Sequence, residues 1–309
     1  MLTLTLALLL QAPPQTFTVE GRFRPPTQGS VTIYGATNPF TESTLSDVGG
    51  RFRFRRLEAG TYTLSVFVPG RGETRQTVVV TPSTADARGR VTVDLEMDDA
   101  RLRREEAIGV SFRALSIPNG ARREYQEAQK KLGRRDIEAA EQHLLKAVEI
   151  APNYGEAWNN LGTIAYQTQR YPRAEEMFRR ALETDDTLYA PLVNLGGVLL
   201  NLGQFAEAEH FNRHAVLKQP GDALAHSQLG MNLLALGRLD QAEKHLREAI
   251  RLDPAHFSHP HLHLAEVLWR KNDRLGAADV LERFIAQHPD HPAAAELRVK
   301  IAEIRAQTP

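Results

Sequence analysis

Three features of the 309-residue chain predict a multidomain β + α protein in which an antiparallel β-sandwich precedes an α–α solenoid. Between Phe17 and Leu95 apolar and polar residues alternate, the period of a half-buried strand. From about Asn119 the period becomes helical, and one text recurs every 34 residues: Asn160-Leu161-Gly162, Asn194-Leu195-Gly196, Gln228-Leu229-Gly230. The same spacing joins Ala140, Ala174, Ala208 and Ala242, and again Ala147, Ala181, Ala215 and Ala249. A helix–turn–helix unit of this length cannot bury its apolar face alone, so it stacks on its neighbours.

The elements follow in order. After Met1, Leu2 to Leu10 holds only Leu, Thr and Ala, too short a run to span a bilayer but matching the apolar part of a secretory signal. Residues 1–15 are therefore read as a signal segment, although no Lys or Arg precedes the run; a buried first strand is the alternative. Alternating runs then appear at Phe17-Val19-Phe23, Val31-Ile33, Phe52-Phe54, Tyr62-Leu64-Val66, Val78-Val80 and Val91-Val93-Leu95. Turn material separates them: Pro25-Pro26, Gly49-Gly50, Gly60, Pro69-Gly70 and Pro82-Ser83. The string Asp47-Val48-Gly49-Gly50-Arg51-Phe52-Arg53-Phe54, with Leu57, Gly60, Tyr62 and Leu64, resembles the carboxypeptidase regulatory-like (transthyretin-like) domain. That resemblance implies a non-catalytic accessory sandwich of exported proteins over residues 16–98. Residues 99–118 read as a linker whose end, Val110 to Pro118, either packs on the first repeat or forms a stray strand.

The repeats resemble tetratricopeptide repeats through Trp158, Leu161-Gly162, Ala174, Phe178 and Ala181, then Asn194-Leu195-Gly196, Ala208, Ala215 and Pro220. About five units are expected over 119–289, the fifth with a one-residue slip, Ala265 in place of Gly and Phe284 in place of Ala. A capping helix at 290–306, carrying Ala295, Val299, Ile301 and Ile304, closes the array. Gly162, Gly196 and Gly230 on the first helices are expected to face Ala174, Ala208 and Ala242 on the second, allowing close approach. Pro220 and Pro254 stop second helices.

The resemblance implies that the first helix of each unit lines a concave groove. Stepping 100° per residue places two stripes there: amides at Gln126, Asn160, Asn194 and Gln228, and apolar or aromatic groups at Tyr166, Leu200, Leu234 and Trp269. A primary amide both donates and accepts, so a row of them pairs with peptide backbone whatever the side chains. The structural alternative is that the amides only tie neighbouring helices together.

Composition narrows the function. Lys+Arg and Asp+Glu are both 38, so no whole-chain basic footprint points to nucleic acid. The absence of Cys removes disulfides, thiolate metal sites and Cys nucleophiles. There is no Gly-rich phosphate loop and no Gly-x-Ser-x-Gly elbow, so neither an enzyme nor a cofactor is expected. His259 and His263, one helical turn apart in a His-rich stretch, are the candidate metal ligands; the plainer reading is a polar helix start opened by Pro260. Arg22, Arg24, Arg51, Arg53 and Arg55 form either a solvated strand face or a basic surface for anionic glycan or lipid.

These features predict a periplasmic or secreted, non-enzymatic adaptor of the bacterial-type cell envelope that holds an extended protein or peptide segment in the groove. No membrane span is expected, and the oligomeric state is not fixed by the sequence. The alternatives are an accessory subunit for carbohydrate or cell-wall processing that binds through the sandwich, and a cytoplasmic scaffold.

Overall fold

The structure, a computed structural model, describes residues 16–68, 72–96 and 117–307. The expected signal segment and nearly all of the expected linker lie outside the described residues.

Seven strands build the N-terminal part: β1 (Phe17–Arg24), β2 (Ser30–Gly35), β3 (Thr41–Leu45), β4 (Arg51–Leu57), β5 (Gly60–Val68), β6 (Gly72–Val80) and β7 (Arg90–Glu96). They form a three-stranded sheet, β4-β1-β7, packed on a four-stranded sheet, β3-β2-β5-β6. Inward residues of both sheets, among them Phe17, Val19, Phe23, Ile33, Phe54, Leu57, Tyr62 and Leu64, make one core. All pairs are antiparallel except β1 with β7, which are parallel because β7 returns from the other sheet to lie beside the first strand. Alternation does not announce β3: Thr41-Glu42-Ser43-Thr44-Leu45 has no buried residue, since it is an edge strand paired only with β2. The turn into β4 closes as its residues require. Asp47 Oδ1 accepts the Arg51 N–H at 2.8 Å, and Gly50 takes φ +74°, open to glycine at no steric cost.

Eleven helices follow among the described residues. Five antiparallel pairs are α1 (Asn119–Gly133) with α2 (Ile137–Ile150), α3 (Gly155–Gln167) with α4 (Tyr171–Thr184), α5 (Tyr189–Asn201) with α6 (Phe205–Lys218), α7 (Ala223–Ala235) with α8 (Leu239–Leu252), and α9 (Pro260–Arg270) with α10 (Arg274–Gln287). Helix α11 (Ala294–Gln307) packs on α10 and buries Ile301 and Ile304 in the terminal core. Asp136, Asp222 and Asp273 cap α2, α7 and α10 by accepting backbone N–H groups. Ala140, Ala174, Ala208 and Ala242 are fully buried, as their recurrence requires.

The glycines of the refrain have different neighbours from those expected. A Cβ on Gly162 would lie 2.6 Å from the Phe178 ring, on Gly196 2.0 Å from Asn212 Oδ1, and on Gly230 2.6 Å from Leu246. The glycines thus face side chains one turn beyond Ala174, Ala208 and Ala242. The first helix makes room for a larger side chain on the second.

Substituting Ala208 by Leu inserts a branched side chain at a fully buried helix contact and is expected to cost about 1–3 kcal/mol. Neighbour stacking spreads the loss to adjacent pairs while the sandwich keeps its own melting transition. Calorimetry of the full chain checks this; an unaltered repeat transition contradicts it.

Candidate binding cavity between sheet and solenoid

The sandwich is seated in the concave face of the helical array. At the first repeat, the Arg135 guanidinium pairs with Glu58, donates to the Tyr62 hydroxyl at 3.4 Å and stacks 5.0 Å over the Phe40 ring. Gln167 at the end of α3 donates to the Gly35 carbonyl at 3.1 Å. At the opposite end Asp253, after α8, accepts the Thr77 N–H of edge strand β6 at 3.1 Å, and Asp290, after α10, accepts from the Ser83 hydroxyl. The four-stranded sheet is therefore a chord tied near repeat one and near repeats four and five.

Between chord and arc lies a cavity of about 2520 Å³. Its sheet wall carries Thr32, Tyr34, Thr63 and Thr77, the outward residues of β2, β5 and β6, together with Glu42 and Ser43 of β3. Its helical wall carries Asn160, Tyr166, Asn194, Leu200, Gln228 and Leu234 on α3, α5 and α7. Six of the eight groove residues expected from sequence share this one cavity. The other two do not line it. Gln126 is exposed on α1, which has no preceding repeat among the described residues, and Tyr125 and Gln129 line the wall there instead. Trp269, 45% exposed, packs under Arg274 and against Lys300 of the capping helix. In that unit His263, Glu266 and Arg270 line the wall.

The amides bond within the array as well as lining the cavity. Asn160 Nδ2 donates to the Tyr125 hydroxyl, Asn194 Nδ2 to Asn159 Oδ1, and Asn201 Nδ2 to the Tyr166 hydroxyl, each at 3.1 Å and each to the preceding unit. The buried Gln228 amide presses on the preceding inner helix: a Cβ on Gly197 would fall 2.5 Å from its Nε2. Its Oε1 is buried with no hydrogen-bond partner.

His259 and His263, the candidate metal ligands, have different surroundings. His259 lies edge-on to His288 and His291, with ring centres 4.8 and 5.2 Å away, while His263 faces the cavity. Among the described residues no group of three or more ligand-type side chains is arranged to hold a metal ion. On the outer face of the three-stranded sheet, Arg22 and Arg24 both pair with Asp94, and Arg53 pairs with Glu20, so part of its positive charge is neutralised.

Comparison with known proteins agrees with this architecture. The carboxypeptidase regulatory-like domain matches residues 20–96, and tetratricopeptide repeat models match 125–188, 170–229 and 233–301. The chain belongs to the tetratricopeptide-repeat proteins and carries an N-terminal carboxypeptidase regulatory-like domain. Such an array is a protein–protein interaction scaffold, and neither matching family is an enzyme family. Among solved structures, MamA (41-end) of Desulfovibrio magneticus RS-1 is similar at 23% identity and TM-score 0.51, covering 57% of this chain and 99% of that one. Pseudomonas aeruginosa PilF is similar at 22% and 0.53 (63% and 87% covered). PilW, described as a widely conserved type IV pilus biogenesis factor, is similar at 19% and 0.55 (62% and 88% covered). These likenesses are of fold alone. No curated protein matches. Among the described residues no helix is long and apolar enough to cross a membrane.

The sequence reading missed Arg135, though a signal for it existed. The second residue after each first helix takes the left-handed conformation: Arg135, Gln169, Gly203, Gly237 and Asn272, with φ between 59 and 74°. Glycine adopts it freely, whereas a non-glycine residue there costs on the order of 1–3 kcal/mol. At Arg135 the side chain offsets that cost by holding the sandwich. Arg135→Gly is expected to leave the repeats at least as stable while freeing the first tie. Amide exchange checks this: protection should fall in β3 and β5 and persist in α1 and α2; unchanged sheet protection contradicts it.

Proposed function

We propose that the protein holds an extended peptide segment of a partner protein in the cavity between sheet and solenoid. The observation that carries this reading is the pairing of walls: amides and apolar groups on the helices face a hydroxyl-bearing sheet across about 2520 Å³. Inter-repeat bonds engage the NH2 groups of Asn160 and Asn194. Their carbonyl oxygens remain as acceptors for peptide N–H groups, while Tyr166, Leu200 and Leu234 supply apolar contact. The two uses of the amide, tie and ligand contact, are therefore compatible. Successive inner helices stand about 10 Å apart, so the stretch from Asn160 to Gln228 accommodates roughly six residues of extended chain.

Selection from a random peptide library on the full chain, followed by titration, tests the reading. Asn160→Ala with Asn194→Ala should weaken a selected peptide about tenfold to a hundredfold, since each net hydrogen bond is worth about 0.5–1.5 kcal/mol. Methylating peptide nitrogens opposite the amides should weaken it comparably, with helical circular dichroism intact. No selectable peptide, or unchanged affinity in both arms, would sink the proposal.

The cell envelope is the compartment proposed for this adaptor, on the strength of its regulatory-like sandwich. Immunodetection in fractionated native cells should find it there; recovery in the cytosol alone refutes the location.

A further inference from the structure

One recurring contact between the two helices of a pair carries imidazoles that are partnered in two units and not in a third. In the first pair, Glu124 of α1 meets His143 of α2, carboxylate oxygen to Nδ1 at 2.6 Å. Three repeats on, the same two positions hold His226 of α7 and His245 of α8. Their Nδ1 atoms lie 3.1 Å apart, and the Glu248 carboxylate stands near both rings. The fifth pair, after its one-residue slip, has His261 on α9 and Val280 on α10, with Arg283 in the register of Glu248. His261 has thus lost both the second ring and the carboxylate. It is 2% exposed, and its Nδ1 is buried with no hydrogen-bond partner. A buried polar atom in that state carries a desolvation cost that a partner would offset.

His261 borders a second pocket, of about 170 Å³, between α8, α9 and α10. Its apolar lining is Ile250, Leu264 and Val280, and its cations are Arg247, Arg251 and Arg283. It shares only Arg251 with the large cavity under the sheet. Arg247 and Arg251 are paired along their own helix with Glu243 and Glu248. Arg283 is exposed and has no carboxylate partner among the described residues. The register shows how charge gathered here: Arg251 stands where the preceding unit has the exposed Leu217, and Arg283 where it has Glu248. Burial, with His288 and Arg283 nearby, pushes His261 down to about 4, so a neutral ring sits beside guanidinium charge.

We infer that this pocket binds a short branched aliphatic carboxylate, its hydrocarbon against Ile250, Leu264 and Val280 and its carboxylate between His261 Nδ1 and the Arg283 guanidinium. The ligand supplies from outside what Glu124 supplies to His143 within the chain. A guanidinium donates two parallel N–H groups to a carboxylate, and a neutral imidazole in its Nδ1–H tautomer donates one more. The volume equals roughly six waters at about 30 Å³ each, room for a branched chain of about four carbons with its carboxylate. A neutral amide lacks the charge that Arg283 answers, and inorganic phosphate lacks the hydrocarbon. Two sources present this chemistry, a free branched-chain acid and the last residue of a polypeptide.

Isovalerate and N-acetyl-leucine, titrated separately into the full chain, represent the two sources. The readout is the ring nitrogen resonances of His261, assigned by their loss in His261→Gln. Saturable shifts are expected, with responses to isovaleramide and to inorganic phosphate at least about tenfold weaker. The tighter of the two acids names the source. Arg283→Gln removes an exposed cation without touching the core and should weaken binding about tenfold. Val280→His rebuilds the ring pair of His226 and His245 and should abolish binding, with helical circular dichroism intact. Absence of a saturable shift with either acid overturns the inference. So does an equal response to isovaleramide or phosphate, or binding unchanged in both Arg283→Gln and Val280→His. The large cavity takes no part in the measurement, so its failure is separate from failure of the peptide-binding proposal.

Discussion

The structure depends on one sheet being tied at both edges across the inside of a curved helical array. A solenoid of stacked pairs is held only by contacts between neighbours, so its curvature is soft over several repeats. A β-sheet strung from the first repeat to the fourth and fifth fixes that curvature as a chord fixes an arc. The sheet gains in return. Edge strands β3 and β6 would otherwise present unpaired backbone groups to solvent, a liability for strand addition. Here Asp253 takes an N–H of β6, and the end of α1 covers β3, where a Cβ on Gly133 would stand 3.0 Å from the Thr41 carbonyl.

That mutual support gives the cavity two facing walls. Six residues expected in the groove stand on the helical wall, and threonine hydroxyls and Tyr34 of the sheet line the same cavity. A free tetratricopeptide groove recognises one side of an extended segment; this one presents two. The amides of Asn160 and Asn194 spend their NH2 groups on the preceding unit, and the proposed function uses only the carbonyls that this leaves. Gln228 marks the limit of this economy. It is almost wholly buried against Gly197, so it packs the wall rather than projecting from it.

The asymmetry of the ties gives the assembly a direction. Arg135 combines a strained backbone with three sandwich contacts. The far end relies on carboxylates, Asp253 and Asp290, carried by the loops after α8 and α10. One fold thus carries a cationic attachment at one end of the cavity and carboxylate attachments at the other.

Much of this protein was legible before any coordinates. Period two and period 34 are local regularities, written into each residue's neighbours along the chain, and they determined the sandwich, the five helix pairs and the inner helices. Six cavity residues were legible for the same reason, because a repeat carries its register with it. The failures fall where regularity ends. Gln126 and Trp269 occupy the right register but lie in terminal units, whose outer neighbours differ from those of an interior repeat. Strand β3 has no apolar face to alternate, and its assignment comes from pairing with β2. The seating of the sheet inside the solenoid has no local signature at all. Arg135 with Glu58, and Thr77 with Asp253, join residues far apart in sequence, and contacts of that kind exist only once both halves have folded and met. The sequence by itself determined the parts and their repeating faces; the tertiary structure alone decided that one part closes over the other, because closure depends on long-range geometry that no period encodes.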